Sequence, residues 1–164
     1  MTDKNKMITC RVNGKEETIC VDIRESLLDM LRNRLGLTSV KKGCEVGECG
    51  ACTVILDGET IDSCIYLAVW ADGKEITTLE GLLGPDGELT RIQEAFIEEG
   101  AIQCGFCTPG FVLSAEVLLR RGEKLSRDTI RKYMAGNLCR CTGYQNIIHA
   151  VEKVNQEQMQ DCTE

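Results

Sequence analysis

No stretch of this 164-residue sequence approaches the roughly 18 apolar residues that a membrane-spanning helix needs. Its start, "MTDKNKMITC", has no apolar core of the kind a secretion signal carries. There is no G-x-G-x-x-G fingerprint and no P-loop, so nothing in it reads as a dinucleotide or nucleotide site. Histidine occurs once, at His149 in a helical stretch beside Ile148. Without catalytic partners in view, it reads as a surface or packing residue. Positive charge is also short: 19 Lys and Arg face 26 Asp and Glu, a net charge of −7. That balance argues against nucleic acid or an anionic membrane as a partner. Both signs are interspersed along the chain, as on an ordinary solvated surface, and the expected location is cytoplasmic.

Cysteine, by contrast, is abundant. There are 11 cysteines, an odd number that rules out complete internal pairing. Disulfides are rare in a reducing compartment, where cysteine-dense chains more often bind metal. The 43% hydrophobic content is enough for one folded domain or two small ones.

The organisation suggests two units, 1–80 and 81–164. In the first, "KMITCRV" places Ile8, Cys10 and Val12 on one face, and "TICVDI" does the same for Ile19, Val21 and Ile23. Asn13–Gly14 between them is a hairpin turn signal. "SLLDMLRNRLG" predicts a helix capped by Ser26 and stopped by Gly36. Two strands about an Asp57–Gly58 turn follow, with Trp70 in an apolar run expected to join the core. Hairpin, helix and further strands are the order of a β-grasp. The second unit begins with a glycine-rich linker at 81–89 and predicts four short helices. The first is marked by Leu89, Ile92 and Phe96, and the second has Thr108 as cap and Pro109 at its first position. The third is capped by Ser126, and the fourth carries a stripe of Tyr144, Ile147, Ile148, Val151 and Val154. The tail "NQEQMQDCTE" is expected to fray. The fold class expected is therefore α+β, a ferredoxin-like β-grasp followed by an all-α four-helix domain.

Eight cysteines form two quartets, one per unit. Cys44, Cys49, Cys52 and Cys64 have the C-x4-C-x2-C spacing, with a distant fourth, of plant-type 2Fe–2S sites. Gly43, Gly47 and Gly50 allow the backbone to wrap closely and aim its amides at sulfur. Zinc sites usually pair two short knuckles, which three cysteines within nine residues match poorly. The second quartet is Cys104, Cys107, Cys139 and Cys141, in "QCGFCTPG" and "NLCRCTG". Its spacing fits either zinc or a cluster. Each pair precedes a predicted helix start, at Thr108–Pro109 and Thr142–Gly143, where the helix dipole favours thiolates. Cys10 reads as a buried structural thiol, and Cys20 and Cys162 have no evident partners.

Together, "KKGCEVGECGACTVILDG", "QCGFCTPG" and "GNLCRCTGY" closely resemble the small iron–sulfur subunit of molybdenum hydroxylases, the xanthine dehydrogenase and aldehyde oxidoreductase family. The likeness runs from about residue 7 to about residue 155. It implies two 2Fe–2S clusters, the first quartet holding the one nearer a flavin and the second the one nearer molybdenum. It implies also that Gln103 and Cys141 touch the molybdopterin. Molybdopterin and FAD would sit on a large and a medium partner subunit. Substrate would be hydroxylated at molybdenum with oxygen from water, and the electrons would leave singly through this chain to FAD. The chain is most similar to small subunits of bacterial xanthine dehydrogenases, which favours purine oxidation. Nicotinate, other N-heterocycles, aldehydes and carbon monoxide are the alternative substrates.

Other readings are weaker. Glu45 and Glu48 are expected to be solvated charges on the loop, and "RRGEKLSRD" at 120–128 a mixed-charge turn. A free-standing ferredoxin would not need Gln103 or a second cluster. A zinc-stapled interaction module would be colourless.

Overall fold

The computed structural model describes residues 4–161. β1 (Asn5–Val12) and β2 (Lys15–Asp22) pair antiparallel, in register from Asn5–Asp22 to Val12–Lys15. Their turn residues, Asn13 and Gly14, both take positive φ, 50° and 78°, as a two-residue turn between right-twisted strands requires. Strand alternation then buries Ile8, Cys10 and Val12 from β1 and Val21 from β2. Ile23, expected on that face, lies past the end of β2 and is exposed.

Ser26 accepts a hydrogen bond from the Asp29 amide at 3.1 Å and starts α1 (Leu27–Asp29). The helix then widens into π-helical turns over Met30–Arg34, ending before Gly36 at φ 70°. Leu27, Leu28, Met30 and Leu31 are buried against the sheet, while Leu35 is only partly covered. β3 (Thr53–Leu56) and β4 (Glu59–Asp62) form the second hairpin about Asp57 and Gly58, and β5 (Glu75–Thr77) enters between β1 and β3. The mixed sheet has the order β2-β1-β5-β3-β4, with β5 parallel to β1 and antiparallel to β3. Trp70 is not a core residue. It lies on a 3-10 turn, Ala68–Ala71, whose three-residue period turns Ala68 and Ala71 inward and leaves the indole 56% exposed. There it meets the Tyr66 ring edge-on at 5.5 Å.

The rest is helical. α2 (Arg91–Glu98) opens with a capping box between Thr90 and Gln93; Leu89 precedes it and is exposed. α3 (Thr108–Leu119) is buried almost all round, as an apolar central helix must be. Thr108 is its first helical residue, and the cap position falls to Cys107. α4 (Arg127–Met134) is capped by Ser126, whose hydroxyl accepts from the Thr129 amide. α5 (Gln145–Asp161) is longer than expected, and the tail read as frayed continues as helix to Asp161. Buried Asn155 helps to hold it: its amide group bonds the Leu125 N–H at 2.9 Å and the Glu123 carbonyl at 2.8 Å. Cys162 lies outside the described residues.

Two apolar cores result. One lies beneath the sheet around Leu27, Val54 and Ile76, the other among α2 to α5 around Phe96, Phe111 and Ile130. Every residue of β3 is buried, and Ile55 joins the helical core while Val54 joins the other. β3 is thus the shared wall. Among the described residues no helix is long and apolar enough to cross a membrane.

Phe96 is fully buried at the centre of the helical core. Phe96→Ala should cost about 3–5 kcal/mol, read as a lower denaturant midpoint of the helical transition. A midpoint equal to that of the unaltered chain would show that α2 is not anchored through this ring.

Candidate metal centres

The first thiol-rich loop joins the π-helical turns to β3, and its path is set by left-handed residues. Glu45, Gly47 and Gly50 have φ of 60°, 75° and 64°. They fold the chain back so that its amides face sulfur. Val46 and Glu48 donate to Cys44 Sγ at 3.5 and 3.3 Å, and the Cys44 amide donates to Cys49 Sγ at 3.4 Å. A Cβ on Gly43 would come within 2.9 Å of Cys49 Sγ, so only glycine leaves that sulfur its place. Cys52 and Cys64 meet at the start of β3 and beyond β4. The Cys52 carbonyl accepts from both the Ser63 amide and hydroxyl, which holds Cys64 beside it. The two thiols are in hydrogen-bond contact, and Cys52 Sγ also donates to Asp62 Oδ1 at 3.7 Å.

These environments act oppositely on the thiols. The amides of Val46 and Glu48, with the Cys49 thiol, draw Cys44 down to about 7. Burial pushes Cys52 up to about 12. A thiol so buried gives up its proton when a metal cation takes its place.

The second quartet is assembled from two loops. Cys104 and Cys107 flank Gly105, at φ 81°, immediately before α3. Cys139 and Cys141 lie between α4 and α5. Cys141 Sγ is 3.6 Å from Cys104 Sγ, and Cys107 is in hydrogen-bond contact with Cys139. Burial opposes ionisation of Cys139. The Thr142 hydroxyl and amide, at 3.1 and 3.4 Å, nonetheless hold it below the ordinary thiol value. Burial and the neighbouring Cys139 push Cys107 up to about 12. Only Cys107 sits at a helix start. Gly143 and Tyr144 have φ of 66° and 68°, so α5 begins at Gln145 rather than at Thr142–Gly143. Tyr144 leaves the apolar stripe, and its Oη instead accepts from the Cys139 amide at 3.0 Å.

In both places the sulfurs come together as pairs: Cys44 with Cys49 and Cys52 with Cys64, then Cys104 with Cys141 and Cys107 with Cys139. Two pairs of thiolates suit a binuclear cluster, in which each iron takes two protein sulfurs. Backbone amides aimed at sulfur suit it as well. Gln103, Cys104 and Cys141 are exposed, with Phe106 and Leu138 also open to solvent. Glu45 and Glu48 are exposed, Glu45 pairing with Lys42 at 3.0 Å, and His149 is exposed. Cys10 is buried in the sheet core, while Cys20 is exposed.

One residue that joins the two loops carries no sequence signal beyond a polar side chain after a glycine. Asn137, 4% exposed, donates to the Gly50 carbonyl at 2.9 Å and to Thr53 Oγ1 at 3.2 Å. Ser114 from α3 donates to its Oδ1 at 2.9 Å, and the Leu138 amide donates to the Cys49 carbonyl at 2.9 Å. Gly50 and Gly110 face each other so closely that a Cβ on Gly110 would overlap the Gly50 carbonyl.

Comparison with known proteins agrees with this geometry. Residues 10–79 match the family described as "2Fe-2S iron-sulfur cluster binding domain", and residues 78–152 the one described as "2Fe-2S binding domain". The chain is 51% identical to the xanthine dehydrogenase iron-sulfur-binding subunit of Escherichia coli O157:H7, over 88% of this chain and 91% of that one. It is 49% identical to the nicotine 6-hydroxylase small subunit of Paenarthrobacter nicotinovorans, over 88% of this chain and 86% of that one. Among solved structures, a chain of quinoline 2-oxidoreductase from Pseudomonas putida 86 superposes with a TM-score of 0.90 at 42% identity, covering 96% of this chain and 98% of that one.

Gly50→Ala and Gly14→Ala make a matched test, because both glycines have positive φ. At Gly14 a Cβ meets nothing within 4 Å, leaving only left-handed strain of about 1–2 kcal/mol. At Gly50 it would also overlap the Asn137 amide and come 2.6 Å from the Gly136 carbonyl. Gly14→Ala should keep its iron and acid-labile sulfide, and Gly50→Ala should lose most of both. Equal contents would show that the loop closes without this approach.

Proposed function

The chain belongs to the iron–sulfur small subunits of the molybdenum hydroxylases, electron-transfer components of oxidoreductases, and we propose that it links a molybdenum centre on one partner chain to a flavin on another. It is read as a β-grasp, ferredoxin-like unit over 1–80 followed by a helical unit over 81–164, working in the cytoplasm as part of a hetero-oligomer. The observation that carries the proposal is the pairing of eight thiols into two quartets on loops joined through Asn137 and Leu138. Cys44, Cys49, Cys52 and Cys64 would hold one 2Fe–2S cluster, and Cys104, Cys107, Cys139 and Cys141 the other. Each cluster, when bound, supplies a place for one electron at a time. The protein groups do the rest. Amides of Val46, Glu48 and Thr142 and the Thr142 hydroxyl stabilise negative charge at sulfur, and burial of Cys52 keeps water from it.

Exposure of Gln103, Cys104 and Cys141 supports docking of the molybdopterin subunit at this end, with Gln103 and Cys141 toward the cofactor. The flavin subunit is assigned to the side of the first loop, where Val46 and Ile65 are exposed. On the large subunit, a substrate C–H and water would become C–OH, two protons and two electrons, and the electrons would leave singly through this chain. A purine is the favoured substrate, supported by 51% identity to a xanthine dehydrogenase subunit. Another N-heterocycle is the second reading, supported by the nicotine and quinoline relatives.

The test is the visible spectrum of the chain purified anaerobically with its partners, before and after xanthine, then dithionite. Bleaching by xanthine is expected. Bleaching by dithionite alone would replace purine with another substrate, and absence of iron–sulfur absorption would remove the proposal. Cys64→Ser and Cys139→Ser should each halve the iron content and abolish a different one of the two low-temperature EPR signals.

A further inference from the structure

The structure assigns to Asn137 a role as the positioning residue that sets the spacing between the two thiol quartets, and so the rate at which an electron crosses from one to the other. This rests on the electron-transfer reading above. Asn137 stands two residues before Cys139, and its side chain reaches into the loop that carries Cys49 and Cys52. One Nδ2 hydrogen goes to the Gly50 carbonyl at 2.9 Å, the other to Thr53 Oγ1 at 3.2 Å, and Oδ1 accepts from Ser114 at 2.9 Å. All its hydrogen-bonding capacity toward this joint is therefore used, in a buried place where an unmet partner is costly. The same clamp brings the Leu138 amide to the Cys49 carbonyl at 2.9 Å. That hydrogen bond joins the peptide of Cys49 to the residue adjoining Cys139, one thiol from each quartet.

Apolar burial orders β3 on both faces, and at the joint between the loops hydrogen bonds hold the spacing. On one side of Asn137 is a cleft of about 310 Å³ lined by Thr53, Asp62, Ser114, Arg121 and Tyr133, polar for the most part. On the other, Gly50, Gly110 and Gly136 approach with no side chains between them. At that point the loops meet through hydrogen bonds and close backbone contact, so loss of the amide lets the joint relax. Tunnelling falls exponentially with the gap, so a small relaxation of the joint slows the transfer. The step moves one electron from the second quartet's site, which is oxidised, to the first quartet's site, which is reduced. No bond or proton changes place, and the second site would be re-reduced by the partner's molybdenum centre.

The experiment compares the unaltered complex with Asn137→Ala and Ser114→Ala, the latter leaving Asn137 in place but unoriented. Iron content, the EPR signal of each cluster and the splitting between the two reduced clusters are measured, with the rate of intercluster transfer after rapid mixing. The splitting falls with the cube of distance. Full iron, unchanged individual g values, and a diminished splitting with slower transfer in Asn137→Ala are expected, with Ser114→Ala intermediate. Full iron with unaltered splitting and rate would overturn the assignment. If Asn137→Ala loses iron, Ser114→Ala decides by the same comparison, and loss of iron in both makes Asn137 a folding residue and also overturns it. Absence of iron from the unaltered complex is a different result, and it removes the electron-transfer reading itself.

Discussion

The carbonyl of Gly50 is where the two halves of this molecule meet, and the arrangement of the thiols depends on that meeting. It accepts from the Thr53 hydroxyl at 2.7 Å and from Asn137 Nδ2 at 2.9 Å while lying against Gly110 at the start of α3. With the Thr53 amide also donating to it at 3.3 Å, the carbonyl can serve all these donors and touch a helix only if no side chains intervene. Glycine at 50 and 110 is therefore a steric requirement of the joint. From this point Cys49 and Cys52 run one way and Cys139 the other.

The same economy governs the polar groups near sulfur. A thiolate in an apolar setting needs donors, and the loops provide them from the backbone by holding Glu45, Gly47 and Gly50 left-handed. Thr142 adds a side-chain donor where the second loop is less tightly wound. Among the described residues the donors to these sulfurs include no lysine or arginine. Lys42, the nearest cation in sequence to Cys44, is engaged by Asp29 and Glu45. Neutral dipoles stabilise negative charge without the desolvation cost that a buried ion carries.

β3 gives this assembly its rigidity. It is buried on both faces, with Val54 toward the sheet core and Ile55 toward the helices, and it leads directly from Cys52. Apolar burial on both sides orders the strand, and the loops take their positions from it. Some of the exposed hydrophobic residues flank the thiols, Val46 and Ile65 at one site and Phe106 and Leu138 at the other. A chain that passes electrons between larger partners would expose such surfaces where it meets them.

Much of this was legible in the residues alone. Asn13–Gly14 and Asp57–Gly58 named their turns because few other dipeptides accept positive φ at both positions, and Ser126 named a helix start. The spacing of the first quartet pointed to a 2Fe–2S site, while that of the second left zinc and a cluster open until its motifs were taken with the first. Periodicity failed where the period itself changed. Trp70 is exposed because its segment is a 3-10 turn, and α5 starts late because Gly143 and Tyr144 are left-handed. Asn137 was invisible because its partners, Gly50 and Ser114, lie 87 and 23 residues away in sequence. Turns, helix starts and the grouping of the cysteines are properties of neighbouring residues, and the sequence by itself determined them. The distance between the two quartets is a long-range contact between loops, and only the tertiary structure decided it.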